Sequence, residues 1–168
     1  MKESEVSLTR ASRAFSTLHE VLKDIGWNPR QDGDSAAFVV SFDPPYIPVA
    51  YAYAAISEEL ELFYFHITLG VAAAAGRREE TARFLTMANW SLMSGNFDMD
   101  YEDGEIRFRS SVCFGGVELS DALIRNAILF AMNAVERFAN GAIEVMARGK
   151  SAREAFEEAA HADGMTGA

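Results

Sequence analysis

The stretch from Ala88 to Ser111, ANWSLMSGNFDMDYEDGEIRFRSS, constrains the fold more than any other part of this chain. A helical pattern stops at Gly95 and gives way to polar-apolar alternation on both sides of Asp103-Gly104, a dipeptide that favours a two-residue type I′ hairpin turn. With those residues at the turn, Tyr101 lies opposite Ile106, Asp100 opposite Arg107, Met99 opposite Phe108 and Asp98 opposite Arg109. One hairpin face is then salt-bridged and the other apolar, because successive strand side chains point to opposite sides. Each acid–arginine pair contributes roughly 0.2 to 1 kcal/mol. A slip of one residue would turn the apolar set outward.

Around this hairpin the periodicities alternate between helix and strand. Leu8, Ala11, Phe15, Leu18, Leu22 and Ile25 recur at spacings of three and four, which predicts a helix over about Ser7 to Ile25, capped by Ser7 and stopped by Gly26. Trp27 packs as the chain turns. Three strands follow, at about Ala36 to Phe42, Val49 to Ile56 and Leu60 to Leu69, the first ended by Asp43-Pro44-Pro45. The short link Ser57-Glu58-Glu59 marks an antiparallel meander. A second helix runs from about Arg78 to Met93, with Leu85, Ala88 and Leu92 in its apolar row and Phe84, Met87 and Trp90 widening it. After the hairpin, Ser120 caps a long helix reaching about Ala147, and Gly141 inside its apolar row weakens it. The order α-β-β-β-α-β-β-α specifies an α+β fold, an antiparallel sheet of about five strands covered by helices. Residues 1–150 read as one domain. Residues 151–168 read as an amphipathic turn or two at Ser151 to Ala160, followed by a disordered tail.

Composition narrows the partners. With 15 Lys+Arg against 25 Asp+Glu the formal net charge is −10, which opposes nucleic-acid binding because that affinity rests on neutralising phosphates. The basic groups, Arg77-Arg78 with Arg83 and Arg148 with Lys150 and Arg153, sit among acids. The longest uncharged stretch, Leu62 to Gly76, falls short of the ~18 apolar residues of a membrane span. The first ten residues, MKESEVSLTR, lack the apolar run of a signal peptide. Cys113 is the only cysteine, so no intramolecular disulfide forms, and the chain reads as cytoplasmic.

No catalytic set converges. His19, His66 and His161 are too dispersed for a metal site, and His19-Glu20 lacks a second histidine at helical spacing. The acidic run Asp98, Asp100, Glu102, Asp103, Glu105 fails as a calcium loop, because its sixth position, which demands glycine, is Asp103. Cys113, between Val112 and Phe114, reads as a packed thiol. Gly115-Gly116 stands alone as a connector, and no phosphate-binding or nucleophile-elbow motif occurs. These readings give no enzyme, no cofactor and no metal.

One set of signals resembles a known family. A helix carrying Asn89, then Gly95-x-Phe97, an acidic hairpin with Asp103-Gly104-Glu105-Ile106, the loop into Leu119-Ser120 and the C-terminal Gly149-Lys150-Ser151-Ala152-x-Glu154-Ala155 together resemble the YbjN family of bacterial sensory transduction regulators over about Arg77 to Ala159. The resemblance implies a fold similar to type III secretion chaperones, domains that often form homodimers and bind other proteins. It brings no catalytic motif.

The expected function is a non-enzymatic protein-binding module, regulatory or chaperone-like. The alternative is a small-molecule sensor with a pocket between the sheet and the long helix. Leu62, Tyr64 and His66 lie on the off-core face of the third strand, and Leu129 and Phe130 lie outside the main row of the long helix. These five residues form the candidate protein interface, serving a homodimer or an unidentified protein partner. Neither nucleic acid nor membrane is an expected partner.

Overall fold

The computed structural model describes residues 9–42 and 48–162. The expected cap Ser7, the strand end at Asp43-Pro44-Pro45 and the tail at 163–168 lie outside them. Helix α1 (Arg10–Asp24) starts at Thr9, whose Oγ1 accepts the Ser12 N–H at 3.0 Å, and ends before Gly26. Strands β1 (Arg30–Gln31), β2 (Ala37–Val40), β3 (Val49–Ser57) and β4 (Leu62–Leu69) form the meander. A single 3₁₀ turn at Ala75–Arg77 leads into α2 (Arg78–Trp90). Strands β5 (Asn96–Met99) and β6 (Ile106–Cys113), then α3 (Asp121–Arg148) and α4 (Ala152–Ala162), complete the described chain. The α+β order is the expected one, and β1, too short to show a periodicity, adds a sixth strand. The sheet is antiparallel throughout, ordered β1-β2-β3-β4-β6-β5.

The ladder sorts side chains into two faces. Phe38, Ala54 and Phe65 align across β2, β3 and β4, as do Ala52, Ile67 and Phe108 across β3, β4 and β6, and all are buried under the helices. Each buried phenylalanine contributes about 1.5–3 kcal/mol of transfer free energy. Phe15 and His19 of α1 stack on Phe38, and Trp27 lies over Phe65. Phe138 of α3 meets Phe84 of α2, Phe97 of β5 and Phe156 of α4. Helix α3 runs unbroken through Gly141, where α2 and α4 come too close for a side chain: a Cβ there would stand 2.7 Å from Phe84 Cζ and 3.4 Å from Ala155 O. The Arg77 guanidinium donates to Val145 O at 2.6 and 2.8 Å and to Lys150 O at 2.9 Å, tying the start of α2 to the end of α3.

The hairpin keeps its expected faces but not its expected register. Asp98 pairs with Arg107, Met99 with Ile106, Phe97 with Phe108 and Asn96 with Arg109, a shift of two residues from the type I′ alignment. The loop is longer: Asp100 N–H donates to Glu105 O at 2.9 Å and Gly104 N–H to Asp100 O at 2.8 Å, so Tyr101 to Gly104 form the turn. Asp100 Oδ1 accepts from Glu102 N–H and Asp103 Oδ1 from Glu105 N–H, both at 2.8 Å. A two-residue slip leaves every side chain on its original face. It places Phe97 rather than Met99 opposite Phe108, and Met99 rather than Tyr101 opposite Ile106, and it releases Asp100 from Arg107. Gly104, at φ +83°, packs directly against Ala73, whose N–H donates to Gly104 O at 2.8 Å.

Helix α1 is anchored at distant points. Glu61, the one described non-glycine residue with positive φ (44°), binds Arg10 through both carboxylate oxygens at 2.7 and 2.9 Å. It also receives Phe114 N–H on its carbonyl and Gly116 N–H on Oε2. Arg13 pairs with Glu118, and Asp24 with Arg125 of α3.

Candidate functional site

All helices pack on one face of the sheet, and the other face carries no described helix. Two rows of side chains cross it. Arg30, Val39, Tyr53, His66, Arg109 and Asn96 form one, and Tyr51, Thr68, Arg107 and Asp98 the next. His66 sits at the centre of an aromatic cluster: its ring stacks on Tyr53 at 5.1 Å and meets Tyr64 at 5.4 Å and Tyr51 at 5.9 Å, edge to face. Only 9% of His66 is exposed. Burial, and then the charges of Arg107 and Arg109, push its pKa down to about 4, so the imidazole is neutral at pH 7. Its Nδ1 and the Thr68 Oγ1 are buried with no hydrogen-bond partner among the described residues. Asp98 Oδ2 lies 3.1 Å from Arg109 Nε and 3.9 Å from Arg107 Nε, so one acid serves both arginines where one each was expected.

The five candidate interface residues divide between two sides of the molecule. Leu62, Tyr64 and His66 lie on the helix-free face, the first two half-buried and His66 buried. Leu129 and Phe130, 56% and 52% exposed, stand on α3 on the other side of the sheet. Two other readings change. Trp90, expected to widen the apolar row of α2, is 92% exposed at the end of that helix, at an open hollow it shares with Phe156 of α4. Cys113 points to the outer side of β6 and is exposed rather than packed.

The surface that sequence reasoning missed lies at the end of α2. Trp90 lines an open apolar hollow of about 640 Å³ together with Thr86, Met87, Asn89 and Phe156, and Met93, just beyond the helix end, is fully exposed. The signal available was the three-residue spacing of Phe84, Met87 and Trp90, which drifts off the core row, together with Met93 beyond the helix end. The Tyr-Ala-Tyr-Ala alternation of β3 was the corresponding signal for Tyr51 and Tyr53. Between the sheet and α3, where a ligand pocket was the alternative, Phe63, Phe65, Phe108 and Phe138 are wholly buried and fill the space. Among the described residues no group of acids, histidines and cysteines is arranged to hold a metal, and no helix is long and apolar enough to cross a membrane.

None of the curated proteins compared matches the chain. Several solved structures share its fold, among them these two. The crystal structure of YbjN from E. coli superposes with a TM-score of 0.57 at 15% identity, covering 75% of this chain and 92% of that one. A chain of the ExsC–ExsE complex superposes with a TM-score of 0.54 at 13% identity, covering 79% of this chain and 96% of that one. The secretion-chaperone-like α+β architecture expected from the sequence is thus the observed one. The YbjN family model, described as "Putative bacterial sensory transduction regulator", matches residues 15–144, and the chain belongs to that family.

Proposed function

We propose that this YbjN-family protein is a non-enzymatic protein-binding module, regulatory or chaperone-like, acting in the cytoplasm. The observation that carries the reading is the apolar surface at the end of α2, where Trp90 stands in solvent beside Met87 and Phe156 and Met93 is fully exposed three residues on. A large aromatic exposed next to flexible thioethers is the composition of an adaptable protein-binding surface, and covering it releases about 25 cal/mol per Å² of apolar area. Leu129 and Phe130 add a second exposed apolar pair on α3. ExsC, which has the same fold, is found in a complex with ExsE, and this supports a protein as the partner here.

The partner is a second copy of the chain or a different protein. Light scattering coupled to size-exclusion chromatography separates these cases: a homodimer doubles the 18.5 kDa mass, and Phe130→Glu or Trp90→Glu returns it to the monomer. For a different partner, affinity purification from the native host is run with the wild-type chain and with the Trp90→Glu/Met93→Glu variant. A protein retained by the first and lost from the second supports the reading. A monomer that retains the same proteins with either chain refutes it.

A further inference from the structure

The helix-free face of the sheet differs in chemistry from the rest of this acidic protein. Its ladder positions hold three arginines, Arg30, Arg107 and Arg109, one acid, Asp98, and neither lysine nor glutamate. The chain as a whole has ten more acids than bases. Asp32, which acts electrostatically on Tyr53, and Asp100 and Glu105, which border Arg107, lie at the rims of this face. Each guanidinium offers five N–H donors. Asp98 engages only the Nε groups of Arg107 and Arg109, and Arg30 has no ion pair or side-chain hydrogen bond among the described residues.

We propose that this face docks an extended, acid-bearing segment of a protein partner, which sets carboxylates on Arg107 and Arg109 at one end and on Arg30 at the other. The inference rests on the protein-binding role proposed above but uses a different surface. Three observations select the occupant. Tyrosine and arginine with few acids and no lysine is the composition of the energetic centre of protein interfaces. The ladder positions carry three arginines against one acid, a local positive excess inside an acidic rim, which selects an acidic segment narrow enough to lie on the plateau and disfavours face-to-face pairing of two copies, which would oppose arginine to arginine. The dimensions set the length. Arg30 and Arg109 stand four strand spacings apart, about 19 Å at ~4.8 Å each, which an extended chain crosses in about six residues at ~3.3 Å each. The segment is therefore acidic at both ends, with short β-branched or small residues resting on the tyrosine cluster around His66. That cluster is rigid, because His66 is packed on three sides by Tyr51, Tyr53 and Tyr64.

The test uses the full chain and a fluorescein-labelled peptide, Glu-Glu-Val-Thr-Val-Thr-Glu-Glu, with Lys-Lys-Val-Thr-Val-Thr-Lys-Lys and an eight-residue oligothymidylate as comparisons. Fluorescence anisotropy reads affinity, and amide shifts in NMR read position. The acidic peptide is expected to bind, to shift Tyr53, His66 and Arg109, and to weaken at least about tenfold between 50 and 300 mM salt. Arg30→Glu and Arg109→Gln are each expected to weaken it about tenfold, the loss of roughly 1.4 kcal/mol. Arg30 lies on the exposed two-residue edge strand, so its substitution tests the proposal without disturbing the Asp98 pair. Trp90→Glu is expected to leave the peptide affinity unchanged while removing partners of the apolar surface. Tighter binding of the basic peptide or the oligonucleotide, shifts mapped to α2 and α4, or no binding at millimolar peptide would each overturn the inference while leaving the apolar surface to be judged by its own variants.

Discussion

Gly141→Ala sets helix propensity against packing, and the structure decides which wins. In the middle of an exposed helix this change stabilises by about 0.8–1.0 kcal/mol. Here the new methyl group would sit 2.7 Å from Phe84 Cζ and 2.9 Å from Cε2, against the ~3.5–4.0 Å of a relaxed carbon contact. Relief requires the ring to retreat by nearly an ångström. Phe84 is wholly buried and held edge-to-face against Phe138 at 6.4 Å, so the retreat displaces a second ring. Overpacking of this kind costs about 1–3 kcal/mol. The net expectation is a loss of about 0.5–2 kcal/mol, read as a lower urea midpoint with an unchanged slope by circular dichroism. Phe84→Leu removes the obstructing ring atoms. In that background Gly141→Ala should recover its gain of about 1 kcal/mol, giving a coupling of about 1.5–3 kcal/mol in the double-mutant cycle. Stabilisation by Gly141→Ala alone, or a coupling below ~0.5 kcal/mol, refutes the packing argument.

Three other outcomes follow from the same structure. His66 titrates near pH 4 when folded and near 6.5 when unfolded, so the unfolded chain takes up the proton first as pH falls. Its contribution is intact above pH 6.5 and lost toward pH 4, of order 3 kcal/mol in full. His66→Phe should therefore gain on the wild type in urea melts between pH 7.5 and 4.5, and an imidazole titrating at 6.5 by NMR would rule this out. Asn89 pairs its side-chain amide with both backbone groups of Phe97, at 2.7 and 3.0 Å, so Asn89→Ala should cost about 1–3 kcal/mol and raise amide exchange in β5. A change under ~0.5 kcal/mol would mean that water replaces the amide fully. Gly104→Ala combines a left-handed backbone, about 1–2 kcal/mol for a residue with a Cβ, with a direct clash on the Ala73 carbonyl. At ~2–4 °C per kcal/mol for a chain of this length, its thermal midpoint should fall by about 4–8 °C if the two add to about 2 kcal/mol, and a fall of less than about 1 °C would show that the loop yields freely.

Legibility in the sequence followed the range of the interactions. The long helix could be read from its cap at Ser120 to about Ala147, within a residue or so of its observed end, because caps and stops are set within a turn of the residue concerned. The hairpin faces were legible because alternation alone fixes them. Its register was not. Asp103-Gly104 fits a two-residue turn, but the Asp100 and Asp103 side chains close a four-residue loop and Phe97 takes the core position beside Phe108. Gly141 looked like a weak point and is instead the place where α2 and α4 close on α3, a contact no local pattern encodes. Of the candidate surface, Leu62, Tyr64, Leu129 and Phe130 were legible as residues off the core rows. Their separation onto two sides of the molecule was not, nor was the exposure of Trp90, since periodicity identifies a face without saying which neighbour covers it.

The anchoring of α1 has a consequence for how the chain acquires its structure. Its contacts join residues 51, 105 and 101 positions apart, through Arg10–Glu61, Arg13–Glu118 and Asp24–Arg125. At a synthesis rate of about 5–20 residues per second, Arg125 is made roughly 5–20 seconds after Asp24. For that interval α1 has no completed seat, and Leu18, Val21 and Leu22, all buried at the end, are only partly covered. Loop closure over such distances also slows refolding of the finished chain. Completion of the seat of α1 on α3 is therefore a late step of assembly, and until then part of the buried row of α1 is open to wrong associations.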